Sequence, residues 1–314
     1  MTEPHSIAEL GQPGQTSGQT SSLLRTLNDY LALTKPPIVM LLLVTAAGGM
    51  FLAAQGLPSP VIMGLVWLGG ALAAGGANAI NHQLDRDIDQ RMARTRHRPV
   101  ADRRIAPARA LAFGIVLNIA AFAILLNWVN LLSALLTLAA TLFYVFVYTR
   151  WLKRTTPQNI VIGGAAGSIP PLVGWAAITG SLDLPAVYLF AIVFFWTPPH
   201  FWALSLLIQR DYAQAGIPML PVVSTPEHTS QQIFLYTLAL VGITIMFALT
   251  PAVGLVYLGA ALALGGVFIR MAWRLKRHYS AGQARKLYLY SLLYLALLFV
   301  AVMVDSTVHW QPLG

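Results

Sequence analysis

Asn81, Asp85 and Asp89 stand four residues apart. On a helix each step of four turns about 40° past a full circle, so the three side chains line up along one face, with Asn78 one turn further back and Asp87 pointing elsewhere. Carboxylates at that spacing repel each other unless something positive lies on the stripe. Arg86 and Arg91 offer that charge as a salt-bridged surface. A divalent cation offers it as chemistry: two carboxylates and an amide oxygen are the hard oxygen ligands that Mg2+ accepts, together with waters and substrate phosphates. Arg91, Arg94, Arg96 and Arg98 follow at once, and Tyr148, Lys153, Arg154 and Asn159 form a second basic patch. Metal carboxylates and guanidinium groups in one mouth suit a diphosphate, because arginine binds phosphate bidentately and Mg2+ bridges its oxygens. The sequence contains no P-loop, GxGxxG or HExxH pattern, which argues against a nucleotide hydrolase.

The elements that carry these residues must lie in a membrane. Of the 314 residues, 57% are hydrophobic and 10% charged, against about 25% charged in a soluble domain. Mean hydropathy is +0.66. No single aqueous core hides so much apolar surface, so a soluble enzyme, a disordered chain and a fibrous repeat are excluded. The absence of cysteine removes disulfides, thiolate catalysis and Cys-ligated metal. A net charge of +9 would suggest nucleic acid in a soluble protein, but here it reads as cytoplasmic loops held against anionic lipid, with no nucleic-acid partner. The first 20 residues are polar and read as a disordered tail without a cleavable signal peptide.

Nine apolar runs approach the ~20 residues needed to cross a bilayer. They cover about residues 38–56, 60–83, 107–128, 130–149, 158–179, 184–208, 231–250, 252–273 and 286–305. The third and fourth are split only by Asn127–Asn130, the seventh and eighth only by Thr250-Pro251. With nine spans all 20 lysines and arginines fall on one side, and merging either pair spoils that alternation. The positive-inside rule then places the N-terminus in the cytoplasm and the C-terminus in the periplasm of a bacterial inner membrane. Residues 1–35 read as a cytoplasmic tail whose Leu23, Leu24, Leu27, Tyr30, Leu31 and Leu33 make an interfacial amphipathic helix, and residues 36–308 as one membrane domain. Gly163-Gly164, Gly167, Pro170-Pro171 and Pro198-Pro199 lie within spans, where small residues allow close packing and prolines bend helices. Trp128, Trp151, Trp273 and Trp310 fall at span ends, as aromatic belts do.

The Asn81-x3-Asp85-x3-Asp89 stripe resembles that of the UbiA-type superfamily of intramembrane prenyltransferases. Further stretches resemble its protoheme IX farnesyltransferase family. These are Asp85-Arg-Asp-Ile-Asp89 with Met92, Arg94-Thr95 and Arg98-Pro99, and Tyr148-Thr149 with Leu152-Lys153-Arg154, Thr156-Pro157 and Asn159-Ile-Val-Ile-Gly-Gly164. Pro170-Pro171-Leu172-x-Gly174-Trp175, Trp196-Thr-Pro-Pro-His200-Phe-Trp202, and Asp211-Tyr212 with Gly216-x-Pro218-Met-Leu-Pro221 complete the set. The likeness runs from about residue 30 to 305. It implies an all-α fold of nine transmembrane helices in a ring around a central cavity, and Mg2+-dependent transfer of farnesyl from farnesyl diphosphate to a vinyl group of heme b, giving heme O and diphosphate. Handover of the product to a heme A synthase or a terminal oxidase is implied with it.

On this reading Asn81, Asp85 and Asp89 hold Mg2+, and Lys153 joins them in catalysis. Asn78, Arg91, Arg94, Arg98, Tyr148, Arg154 and Asn159 bind the substrate diphosphate end. His200 offers an imidazole to heme iron and Trp202 a face to the porphyrin, with a hydrogen bond from His200 to a carbonyl freed by Pro198-Pro199 as the alternative. His82 and His97 are weaker iron candidates. Many members of the superfamily carry a second Asp-x3-Asp motif after span six. This chain offers Asp211 alone, with Leu207 and Ala215 four residues away, so Asp211 pairs with an arginine or reaches Mg2+ through water. Two other functions fit the stripe: prenylation of a quinone or chlorophyll precursor, and cation transport. Charges confined to span ends on one side argue against a conduction path.

Overall fold

The computed structural model describes residues 16–308, with side chains from residue 23 onward; His5, His309 and Trp310 lie outside them. Helix α1 (Thr16–Thr34) precedes the first span, so residues 16–20 are helical and not part of a disordered tail. Its Leu23, Leu24, Leu27 and Leu31 are exposed, while Leu33 is fully buried. Among the described residues nine helical segments are long and apolar enough to cross a membrane. They are α2 (Pro36–Ala54), α3 (Pro60–Leu84), α5 (Pro107–Trp128), the segment Leu131–Thr155, the segment Asn159–Thr179, α10 (Leu184–Leu207), α13 (Pro226–Ala248), α14 (Leu255–Arg277) and α15 (Ala281–Val308). Pro36, Pro60, Pro107, Pro185 and Pro226 occupy the first or second position of five of them, where a missing N–H costs nothing. The short α4 (Arg86–Arg91) follows α3.

Two spans are not simple helices. Leu131–Thr155 starts as α6 (Leu131–Leu142), capped by Asn130, whose side chain accepts from Ser133 N–H at 2.8 Å and donates to Ala176 O at 2.7 Å. This cap explains why the chain breaks between the third and fourth spans. The segment then becomes a π-helix over Phe143–Leu152 and ends in the turn α7 (Lys153–Thr155). The fifth span is split into α8 (Asn159–Gly167) and α9 (Pro170–Thr179), because Pro170 and Pro171 cannot continue the hydrogen-bond ladder. Two short helices, α11 (Gln209–Gln214) and α12 (Leu220–Val223), fill the loop after α10. The seventh to ninth spans start or end four or five residues from the hydropathy limits, because polar helix ends such as Pro226–Ser230 escape a hydropathy count.

Neighbouring spans pack in chain order and α15 closes onto α2, which makes a ring. The ring is pinched. At Gly49 and Gly174 an added Cβ would run into the backbone of Pro171 and Ala46 respectively, so α2 and α9 touch main chain to main chain. This contact lies toward the end of α2 that is remote from Lys35. The acidic stripe occupies the opposite end.

A charge at the remote end is explained by capping. Asp305 is 2% exposed and accepts the N–H of Gly254 at 2.5 Å and of Tyr257 at 3.1 Å, at the N-terminus of α14. Asp305→Ala should cost about 1–2 kcal/mol and lower the unfolding midpoint in detergent, with Asp305→Asn retaining most of it. Unchanged melting of the alanine variant would remove this role.

Candidate active site

The stripe survives although its helix does not run straight through. Helix α3 stops at Leu84, and Asp85 leaves helical geometry with φ −95° and ψ 7° before α4 begins. The hydrogen bonds nevertheless continue, Asp85 N–H to Asn81 O at 2.9 Å and Asp89 N–H to Asp85 O at 2.8 Å. Asn81, Asp85 and Asp89 are 3%, 0% and 2% exposed. Asn81 Nδ2 donates to Asp85 Oδ2 at 2.7 Å and to Thr149 Oγ1 at 3.2 Å.

Each of the three oxygen donors faces a cation from a different part of the chain. Lys153 Nζ donates to Asp85 Oδ2. Arg98 NH1 donates to both oxygens of Asp89 at 2.9 Å. Lys35 Nζ donates to Asn81 Oδ1 at 3.0 Å. Arg86 and Arg91 were the near-sequence candidates for this charge, and the structure corrects that: both are exposed on α4, and Arg86 instead lines a cleft of about 580 Å3 with Gln83, Leu84, Asp87, Arg150 and Arg154. The π-helix delivers Lys153 and Thr149, as π segments often do at functional sites. Arg98 is returned to Asp89 by the tight turns after α4, where Thr95 Oγ1 donates to Asp89 O at 3.2 Å.

Lys35 was not among the sequence candidates. It sits in left-handed geometry (φ 53°, ψ 61°) between α1 and α2, a conformation costly for a side-chain-bearing residue. Asn78 anchors that joint by donating to Thr34 O at 3.1 Å, which is what the fourth member of the stripe does here. Loss of water around the Lys35 ammonium, and then Arg98 and Lys153 nearby, pull its pKa down to about 7 against the opposing Asp89 and Asp85. The only sequence signal was a lysine just before a span-opening Pro-Pro.

Lys153 and Arg98 balance the two carboxylates, and Lys35, with its pKa of about 7, adds at most one further positive charge. A prenyl diphosphate brings more negative charge than that, and a divalent cation closes the difference. The donors fit such an ion. Asp85 Oδ1 is buried without a hydrogen bond, with Arg154 NH2 3.7 Å away, so a carboxylate oxygen is left with capacity for another cation. Among the described residues no cluster of three or more His, Cys, Asp or Glu exists, so a metal here would rely on the two carboxylates, Asn81 and the substrate's own oxygens.

The remaining candidates divide. Arg154 binds both oxygens of Asp87 at 2.8 Å and Leu84 O at 2.8 Å, locking the end of α3. That guanidinium holds the Asp87 carboxyl down to about 2. Arg91 and Arg94 have exposed side chains. Arg94 N–H donates to Asp211 Oδ2 at 3.3 Å, so Asp211 clasps the two long loops together. Beneath that clasp Ile88, Met92, Ile160, Tyr212, Ile217 and Met219 form an apolar cap, with Tyr148 packed on it. Tyr148 stacks on Tyr144 at 5.5 Å and covers Gly163, where any Cβ would strike its ring. Asn159 is fully buried; its Nδ2 donates to Thr156 O at 2.7 Å and its Oδ1 has no partner. His97 is exposed beside Arg96, whereas His82 is 2% exposed with neither ring nitrogen bonded.

His200 does not bond a freed carbonyl. Its Nδ1 lies 2.7 Å from Ser291 Oγ on α15, and its ring is stacked on Trp196 at 4.3 Å and faces Tyr288 at 5.0 Å. Trp202 is 2% exposed and meets Tyr236 edge-on at 5.2 Å, with its Nε1 unpartnered.

The profile of the UbiA prenyltransferase family matches residues 41–302. A protein of Gloeobacter violaceus named protoheme IX farnesyltransferase is 52% identical over 285 residues, covering 90% of this chain and 93% of that one. A protein of Nostoc sp. with the same name is 50% identical over 287 residues, 91% and 90% of the two chains. A Roseiflexus relative of that name is 49% identical over 306 residues, and this chain spans 57% of its length. Among solved structures, a digeranylgeranylglyceryl phosphate synthase superposes with a TM-score of 0.75 at 18% identity, covering 90% of this chain and 99% of that one. A UbiA homologue from Archaeoglobus fulgidus bound to GPP and Mg2+ superposes with a TM-score of 0.64 at 17% identity, covering 88% and 99%. Those two likenesses concern the fold.

The Lys153–Asp85 pair gives a stability test. Lys153→Met strands a buried carboxylate and should cost about 3–5 kcal/mol, seen as a lower unfolding midpoint. The double variant Asp85→Asn, Lys153→Met should recover most of that loss. Equal melting of Lys153→Met and wild type would contradict the pairing.

Proposed function

The chain belongs to the UbiA prenyltransferase family, and from that premise we propose that it transfers the farnesyl group of farnesyl diphosphate to a vinyl group of heme b, with addition of water, giving heme O and diphosphate. One observation carries the reading most: a buried row of oxygen donors, each met by a basic side chain, with one carboxylate oxygen accepting no hydrogen bond. The name shared by relatives at about half identity supports heme as the acceptor.

Mg2+ would be held by Asn81, Asp85 and Asp89, and when bound it neutralises diphosphate charge and eases departure of the leaving group. Lys35, Lys153 and Arg98 take the diphosphate oxygens. Arg91 and Arg94, exposed at the mouth, draw the anion in. Arg154 and Asn78 hold the two helix ends that bear the site, while Tyr148 and Asn159 shape its wall. The allylic C–O bond breaks with both electrons leaving on pyrophosphate, and the surrounding cations stabilise that growing charge without reorganising. The vinyl carbon attacks the delocalised allylic cation. Water captures the new cation beside the porphyrin and releases a proton, leaving a hydroxyl. The apolar cap over Ile88, Met92 and Tyr212 keeps water from quenching the first cation. His200 ligates heme iron and Trp202 packs near the porphyrin.

The protein is a multi-pass membrane protein. We place it in a bacterial inner membrane with the acidic stripe on the cytoplasmic side, residues 1–35 forming a cytoplasmic segment with α1 lying on the lipid surface. A heme A synthase or a terminal oxidase receives the product.

Purified protein incubated with farnesyl diphosphate, heme b and Mg2+ should yield heme O by mass spectrometry, and EDTA should abolish it. Asp85→Asn should lower turnover about a hundredfold or more while still inserting in the membrane. Wild-type turnover in that variant would overturn the site. Prenylation of an aromatic acid in place of heme would overturn the acceptor.

A further inference from the structure

The hydrogen bonds around His200 fix which of its nitrogens is available. Ser291 has one hydroxyl proton, and its Oγ donates that proton to Tyr288 O at 2.6 Å. Toward His200 Nδ1, 2.7 Å away, the same oxygen therefore accepts, so Nδ1 carries the hydrogen. The lone pair of the neutral ring is then on Nε2, which has no hydrogen-bond partner among the described residues.

The ring has little freedom to leave that state. Trp196 stacks on it at 4.3 Å with 17° between planes, and Tyr288 faces it at 5.0 Å with 30°. Trp196 is itself tied by Nε1–H to Ser291 O at 2.7 Å. Ser291 thus holds the imidazole through its hydroxyl and the adjacent indole through its carbonyl, and is itself fully buried. Ser291 satisfies Nδ1, while Nε2, without a protein partner, is not sealed in the interior and stays open to a ligand. A histidine that binds iron needs this arrangement, because the orientation of a metal-bound imidazole is set by what its other nitrogen donates to.

We propose that Ser291 is a positioning residue that locks His200 as the Nδ1–H tautomer and presents Nε2 to the iron of heme b. The proposal rests on the reading of His200 as the iron ligand given above. It adds a residue on α15 that no sequence motif marked.

The test is titration of heme b into the full-length protein in detergent, followed by Soret absorption and, in the ferrous form, by the resonance Raman iron–histidine stretch. Wild type should give a histidine-ligated spectrum that His200→Ala loses. Ser291→Ala should bind heme about 10–100-fold more weakly, with the iron–histidine stretch at lower frequency, and Ser291→Thr, which keeps the hydroxyl, should restore both. Ser291→Cys, close in shape and a weak acceptor, reads the same way should the alanine variant not fold. If wild type shows no histidine ligation, or His200→Ala changes nothing, the iron-ligand reading itself fails. If His200→Ala loses the signature while Ser291→Ala and Ser291→Cys keep wild-type affinity and stretch, the role of Ser291 is overturned and the ligand reading stands.

Discussion

Two carboxylates and an amide, almost wholly removed from solvent, set the terms for the rest of this molecule. A buried carboxylate without a partner costs several kcal/mol, so the fold must bring cations to Asp85 and Asp89 or leave them protonated. It brings them from three directions: Lys35 from the joint before the first span, Arg98 from the loop after the second, Lys153 from the end of the fourth. Those deliveries account for three local departures from plain helix. The left-handed Lys35 carries backbone strain to place one nitrogen, while the π-helix at Phe143–Leu152 and the turns after Met92 position the other two.

The same arrangement sets the two ends of the helical ring apart. Near Gly49 and Gly174 two spans meet backbone to backbone, with no room between them for a side chain. At that end a charge such as Asp305 is consumed in capping a helix. At the opposite end the buried stripe is flanked by the loops after α4 and α10, which pack on each other. Asp211 belongs to this covering layer. Its carboxylate grips the backbone of Arg94 and joins the two long loops.

The stripe, the nine spans and their division at Asn130 were legible because they depend on local periodicity, which a sequence carries directly. The three cation partners were legible only in part. Lys153 and Arg98 stood in the basic patches, but their pairing with Asp85 and Asp89 spans 68 and nine residues and is fixed by packing. Lys35 was missed because its role comes from a backbone conformation that no residue type announces. The π-helix was hidden for a similar reason: Phe143–Leu152 is as apolar and aromatic as an α-helical stretch, and its register follows from where Thr149 and Lys153 must point. Asn78, one turn back on the stripe, holds the helix end beside Lys35, a contact 44 residues away in the chain that spacing does not announce.

His200 and the stripe come from different halves of the chain, and that separation suits a reaction with two unlike substrates. In the proposed reaction the diphosphate end is held by charge, which tolerates exchange of partners. The imidazole is held by stacking and by a hydrogen bond of fixed sense, which does not tolerate exchange. On the proposed reading, a flexible clamp on one reactant and a rigid one on the other place the burden of alignment on the rigid side. α15 supplies both Tyr288 and Ser291 to it, and α15 also closes the ring against α2, the helix that follows Lys35 directly. The closure of the ring therefore ties the geometry of the two half-sites to each other.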